Sequence, residues 1–240
     1  MEGDKNTSIE NISSWEDLRR FVSRLIPNAE GRKANILEEK MIKNNVAVLA
    51  GKVASKPEFS FSTKNGQYFK FYIKVKRTSE NIDVIPITVC KELANCIKVE
   101  DFIKITGEFR SCNKEGHLVL SFAAETIEVM EIDREYENEV IMNAFICKDS
   151  TYRITPLGKH ISDLLVAVNR SYGKSDYIPC ICWGKNAFVV RELAIGTQIR
   201  IIGRIQSREY KKTLENGESV IKTAYEVSIN KMEVIEECQK

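Results

Sequence analysis

The strongest constraint on this 240-residue chain is that it repeats itself. The stretch "SENIDVIPITVCKEL" (79–93) returns as "GKSDYIPCICWGKNA" (173–187), sharing D-x-I-P at Asp83 and Asp176. "FIKITGEFRS" (102–111) returns as "QIRIIGRIQS" (198–207), with Gly107 matching Gly203, and "NNVAVLAGKV" (44–53) as "NEVIMNAFIC" (138–147), with Val46 matching Val140. These matches lie 93, 96 and 94 residues apart. Three motifs in one order at a near-constant offset mean two copies of one domain.

Each copy reads as β. Residues 138–237 hold five short runs rich in Val, Ile and Tyr, with partial alternation. Pro156 with Gly158, Gly173, Gly196 and Asn216-Gly217 punctuate them. "KNAFVVRELA", between the third and fourth runs, has helical composition and stops at Gly196. Residues 44–131 repeat the order, with "KELANC" as the helix and Asn65-Gly66 as a hairpin signal. Five strands with a helix between the third and fourth is the layout of the OB-fold, a Greek-key barrel. The fold class is therefore mostly β, two tandem OB-folds. A Pro in the third run of both copies argues for an edge or bulged position there. Residues 1–43 differ in kind. Trp15, Leu18, Val22 and Leu25 recur at helical spacing behind Ser13 and Ser14, predicting a helical N-terminal extension.

The rest of the composition mostly excludes. Net charge is +2, which neither demands nor rules out a nucleic-acid partner. The seven cysteines form no C-x-x-C pair, and neither His117 nor His160 stands near them at zinc spacing. "IPCICW" reads as buried thiols in a reducing compartment, so no metal or cofactor is expected. Apolar runs are too short to span a membrane, and the first residues lack a signal-peptide pattern. A cytoplasmic, nucleoid-associated protein is expected. No P-loop, H-E-x-x-H or G-x-S-x-G occurs, and two histidines leave little for acid–base work, so an enzyme is not expected.

Single-strand binding needs rings for bases, interleaved with cations for phosphates. The second copy supplies both. Tyr177 and Trp183 are six apart on the third strand, an even spacing that shares a face, while Ile178, Cys180 and Cys182 form its apolar side. Lys185 follows Trp183 directly after Gly184, and Tyr172 follows Arg170 where the second strand ends. Tyr152 precedes the Pro156–Gly158 turn, and Tyr210 stands among Arg204, Arg208, Lys211 and Lys212. For any single ring, core packing is the ordinary alternative.

"DYIPCICWGKNA", "VAVNRSY" and "GRIQSREY" resemble the bacterial single-stranded DNA-binding protein family over about residues 138–235. The resemblance implies base stacking by Tyr172, Tyr177, Trp183 and Tyr210, and phosphate contacts by Arg170, Lys185, Arg204 and Arg208. It further implies sequence-independent protection of single-stranded DNA in replication, recombination or repair. Family members commonly assemble four OB barrels, so two per chain imply a homodimer.

The first copy departs from that pattern. Val84 replaces Tyr177, Cys90 replaces Trp183 and Lys114 replaces Tyr210. Phe59 and Phe61 alternate with serines, and Phe69, Phe71 and Ile73 with lysines, which predicts half-buried strands with a basic outer face. That barrel reads as a weaker electrostatic binder or a scaffold. The chain ends "KMEVIEECQK" without a Gly/Pro/Gln-rich linker, so recruitment of replication enzymes through an acidic tail is not expected. The competing readings are RNA binding and a structural or interaction protein, such as a primosome or phage accessory factor.

Overall fold

The computed structural model describes residues 44–131, 135–213 and 217–235. The expected N-terminal helix, Cys238 and the last residues of the chain lie outside these.

The first repeat comprises strands β1 (Asn45–Val53), β2 (Glu58–Thr63), β3 (Gly66–Lys76) and β4 (Ile82–Cys90), the short helix α1 (Lys91–Ala94), then β5 (Phe102–Lys114) and β6 (His117–Met130). The second comprises β7 (Glu137–Ile146), β8 (Thr151–Ile154), β9 (His160–Asn169), β10 (Ser175–Trp183), helix α2 (Lys185–Arg191), β11 (Gln198–Thr213) and β12 (Ser219–Val234). All twelve strands form one sheet, ordered β2-β3-β4-β6-β5-β1-β7-β11-β12-β10-β9-β8. That order reads the same from either end once the repeats are equated. The β1–β3 and β7–β9 pairings close each half into a five-stranded barrel. The pairings of β4 with β6 and β10 with β12 are parallel, the remainder antiparallel.

Period-two alternation fills the barrels. Phe71, Ile73 and Val75 of β3 are fully buried, as are Ile178, Cys180 and Cys182 of β10. Burial pushes the Cys182 thiol up to about 12 and Cys180 well above its ordinary value, so both behave as small apolar side chains. Pro86 and Pro179 stand just before the points where β6 and β12 begin to pair, at Ile87 and Cys180. Each proline therefore occupies a stretch bonded on one side only, the edge position its missing N–H requires.

Two details differ from the sequence reading. β2 and β8 are additional short strands, hairpinned onto β3 and β9. β2 is exposed along its whole length, so Phe59 and Phe61 are surface rings rather than members of a half-buried strand. The first repeat also aligns one residue later than Val46 with Val140. Ala47 pairs Gly107 and Val140 pairs Gly203, which makes Ala47 the equivalent of Val140. A one-residue slip exchanges the faces of a strand; Ala47 and Val140 are both core, whereas Val46 is not.

The barrels join through an antiparallel β1–β7 ladder in which Ala47 faces Val140. Since these two are equivalent, a pseudo-twofold axis passes through that pair, and Asn45↔Met142 has its image in Leu49↔Asn138. The axis generates two reciprocal latches. Arg77 forks onto buried Asp83 (2.7 and 2.6 Å) and donates to the Ser207 carbonyl of the other barrel; Asp83 also accepts from the Ser207 N–H (2.6 Å) and hydroxyl (3.2 Å). Its mirror joins Arg170 to Asp176, Arg170 to the Ser111 carbonyl (2.8 Å), and the Ser111 N–H to Asp176 (2.6 Å). The D-x-I-P repeat is thus the acidic half of the inter-barrel latch.

Candidate nucleic-acid interface

The outer face of the second barrel is built by register across β10, β12 and β11. Ser228 of β12 lies opposite Ile181 of β10 on one side and Arg204 of β11 on the other. Side chains paired across strands share a face. Tyr177, Ile181 and Trp183 therefore share it with Ser228 and Glu226, and with Arg204, Gln206, Arg208, Tyr210 and Lys212. Tyr177 is 47% exposed and Trp183 37%, enough to offer a ring while the inner side of β10 remains sealed.

Trp183 is held from both ends. Its indole N–H donates to Ser228 Oγ at 3.1 Å, which fixes the ring against β12. Gly184 then turns the chain at φ 56°, ψ −124°, a conformation suited to glycine, with its N–H bonded to the His160 carbonyl. The turn starts α2, whose first residue, Lys185, is exposed. The W-G-K triplet is therefore a platform, a corner and a cation in sequence.

Arg204 sits deeper, at the seam between barrels. Its Nε is buried with no hydrogen-bond partner among the described residues. Burial, and after it the Arg77 guanidinium, pushes Arg204 below the ordinary arginine value, against a smaller pull from Asp83.

The remaining sequence candidates divide. Tyr172 stands 90% exposed in the β9–β10 turn. Arg208, Tyr210 and Lys212 extend the face along the exposed β11–β12 arm. Lys211 falls on the opposite face of that arm, with Glu209, because β11 alternates without interruption there. Arg170 is no free cation: the latch uses its fork, and the hydrogen bond to Asp176 raises its pKa. Tyr152 belongs elsewhere as well. It pairs with Ser162, whose hydroxyl bonds the Ala187 carbonyl of α2, so its ring lies on the helix side. There it hydrogen-bonds His160, packs on Phe188 and lies under Arg191. A short strand such as β8, preceding a Pro-Gly turn, gave no sequence signal for which face Tyr152 would take.

Residues that the sequence reading missed are Ser228, Gln206 and Glu226, the last two joined by a 2.7 Å hydrogen bond. Their signal was the pairing of β12 with β10, which only the topology supplies.

Residues 137–235 match the model of the single-strand binding protein family. The match falls on the second barrel. Curated relatives of this domain include the single-stranded DNA-binding proteins of Enterococcus faecalis, 31% identical over 93 residues, and Bacillus cereus, 33% identical over 81 residues. Those alignments take in 36% and 31% of this chain and 48% of each relative, so the chain spans about half the length of the curated relatives it matches. Among solved structures, the wild-type single-stranded DNA binding protein of Thermus aquaticus superposes with a TM-score of 0.64 at 18% identity, covering 82% of this chain and 95% of that one. A deletion mutant of the same protein gives 0.62 at 20% identity. At that identity the likeness speaks for the fold, and its coverage takes in both barrels. The second barrel, with its outer face, is the part of the chain that carries the sequence match.

Proposed function

We propose that the chain binds single-stranded DNA without strong sequence preference, through the outer face of the second barrel, and protects it. The observation that carries this reading is the pinned, partly exposed Trp183 indole on a face it shares with Tyr177 and with the exposed Arg208, Tyr210 and Lys212 of the arm. Tyr177 lies six residues from Trp183, about 20 Å along the strand, so several nucleotides would lie between the two rings. Arg208, Tyr210 and Lys212 extend the path along the arm, Tyr172 caps its other end, and Lys185 meets the phosphate beside Trp183. Action is by binding and not by turnover. Stacking in grooves of this kind is worth about 1–3 kcal/mol per base, and phosphate contacts alone leave weak, salt-sensitive binding. Two barrels per chain, with four as the family's working set, make a homodimer the assembly we propose.

The test is a fluorescence titration of a Trp15→Phe variant with oligo-dT at two salt concentrations, leaving Trp183 as the only indole. Quenching that weakens with salt is the expected result. A folded protein with no quenching at low salt would remove Trp183 from any binding face. Repeating the titration with oligo-U separates DNA from RNA preference.

A further inference from the structure

The first barrel lacks the second's outer face in every element that face uses. Val84 stands for Tyr177 and Cys90 for Trp183 on β4. On β5, equated through Gly107 and Gly203, Glu108 stands for Arg204, Cys112 for Arg208 and Lys114 for Tyr210. The reversal of charge at Glu108 is decisive, because Glu108 pairs with Arg110 on the same strand. By the family pattern this face is dead.

The neighbouring strand has changed in the opposite sense. Opposite Cys90, Thr88, Pro86, Val84 and Ile82 of β4, the outer residues of β3 are Tyr68, Lys70, Tyr72, Lys74 and Lys76. The corresponding residues of β9 are Ile161, Asp163, Leu165, Ala167 and Asn169, none of them an aromatic or a cation. Phe61 of β2, 44% exposed, stacks on Tyr68 with ring centres 5.0 Å apart. The Lys70 ammonium lies 5.0 Å above the Tyr72 ring. Lys74 is exposed, and Lys76 is exposed with a solvent-facing partner, Glu80, at 2.5 Å. This is ring–cation–ring–cation–cation on alternate residues, the order a stacked strand with its phosphates requires.

We infer that the β2–β3 face of the first barrel is a second single-strand path, in which Phe61, Tyr68 and Tyr72 carry bases and Lys70, Lys74 and Lys76 meet phosphates. The inference rests on the reading above for its class of ligand. It makes the barrels unequal binders with rings on different strands, β10 in one and β2–β3 in the other, rather than one binder and one scaffold. Lys70 leaves the Tyr72 face for a phosphate by a change of rotamer when a base takes its place. The row ends at Arg77, bonded across the seam to Ser207, the residue before Arg208. A strand leaving β3 is thus delivered beside the second barrel's basic arm.

The experiment is photo-crosslinking of the full, unaltered chain to oligo-dT carrying 5-iodouracil along its length, with crosslinked peptides identified by mass spectrometry. Crosslinks at Phe61, Tyr68 or Tyr72 as well as at Tyr177 or Trp183 are expected. Crosslinks confined to residues 137–235 overturn the second path and leave the family-domain site standing. Crosslinks confined to β2–β3 keep the second path and overturn the reading of the second barrel; none in either overturns both. A Lys70→Ala/Lys74→Ala variant supplies the quantitative check. Its log-affinity for a long oligonucleotide should fall with log salt by a slope about 1.4 shallower than that of the unaltered chain, since each single-strand phosphate contact contributes about 0.7. An unchanged slope overturns the proposal.

Discussion

Glu139 shows how a single residue registers the seam between barrels. It lies on β7 opposite Val48, next to the Lys104–Glu137 ion pair at 2.8 Å. Burial, then the Glu137 charge, raises its carboxyl to about 7 against a smaller opposing pull from Lys104. A carboxyl whose folded value exceeds its unfolded one favours the protonated form, so the stability it supports is complete below the ordinary value of 4.5 and is lost as pH rises through about 7. The protein is therefore expected to melt higher at pH 6 than at pH 8. Partial exposure reduces the effect to about 1–2 kcal/mol, smaller than the full shift implies. Glu139→Gln should flatten that slope and raise the melting temperature at pH 8. An unchanged pH profile in the variant would place the titrating group elsewhere.

At the scale of elements, the site depends on bulges as much as on side chains. In both repeats the register of the fourth long strand shifts at its glycine, between Thr106 and Gly107 and between Ile202 and Gly203. A Cβ at Gly203 would stand 2.4 Å from the Ser228 carbonyl, and one at Gly107 2.1 Å from that of Ala123. Gly203→Ala must push β12 away from β11, which should destabilise the protein by about 1–3 kcal/mol. It also displaces Ser228, the anchor of Trp183, so calorimetry should show the loss of stability and the Trp183 emission should shift. Loss of stability with unchanged emission would show that the indole does not depend on the Ser228 bond. These glycines also mark what the sequence could reveal. The repeat, the five-strand order of each barrel, the short helices α1 and α2 and the shared face of Tyr177 and Trp183 were legible, because alternation and turn residues are local signals; the hairpin strands β2 and β8 were not. The use of Arg170 and the face of Tyr152 were not. Both depend on partners far along the chain, Ser111 and Phe188, that only tertiary pairing brings close.

For the whole molecule, the question is why two barrels with different outer faces keep one mutual orientation. The β1–β7 ladder supplies a hinge-like line of backbone bonds, and the latches supply bracing on either side of it. Each aspartate is almost wholly buried and answers one arginine and one serine, so neither barrel satisfies its own Asp–Arg pair without the other's backbone. Removing one partner of a buried pair leaves the other uncompensated, typically at about 3–5 kcal/mol. Asp83→Ala and Asp176→Ala should each destabilise by that order, whereas the Asn variants, which keep acceptor oxygens, should be milder. The two latches share no residue, so losses in the double variant should nearly add. Its consequence should exceed a lower melting temperature. With both aspartates gone, the barrels keep the ladder, the Lys104–Glu137 ion pair, the bonds from the Val84 and Tyr177 N–H groups to the Ser207 and Ser111 hydroxyls, and a continuous apolar core between them. Calorimetry then tests whether these suffice for one cooperative transition; two transitions are expected if the latches couple the barrels. A single transition in the double variant would mean that the ladder, the shared core and the remaining cross-barrel bonds make the barrels cooperative without the aspartates. The latches would then set the angle at which β3 of one barrel meets β11 of the other, and lost alignment would appear in binding to long oligonucleotides while binding to short ones persisted.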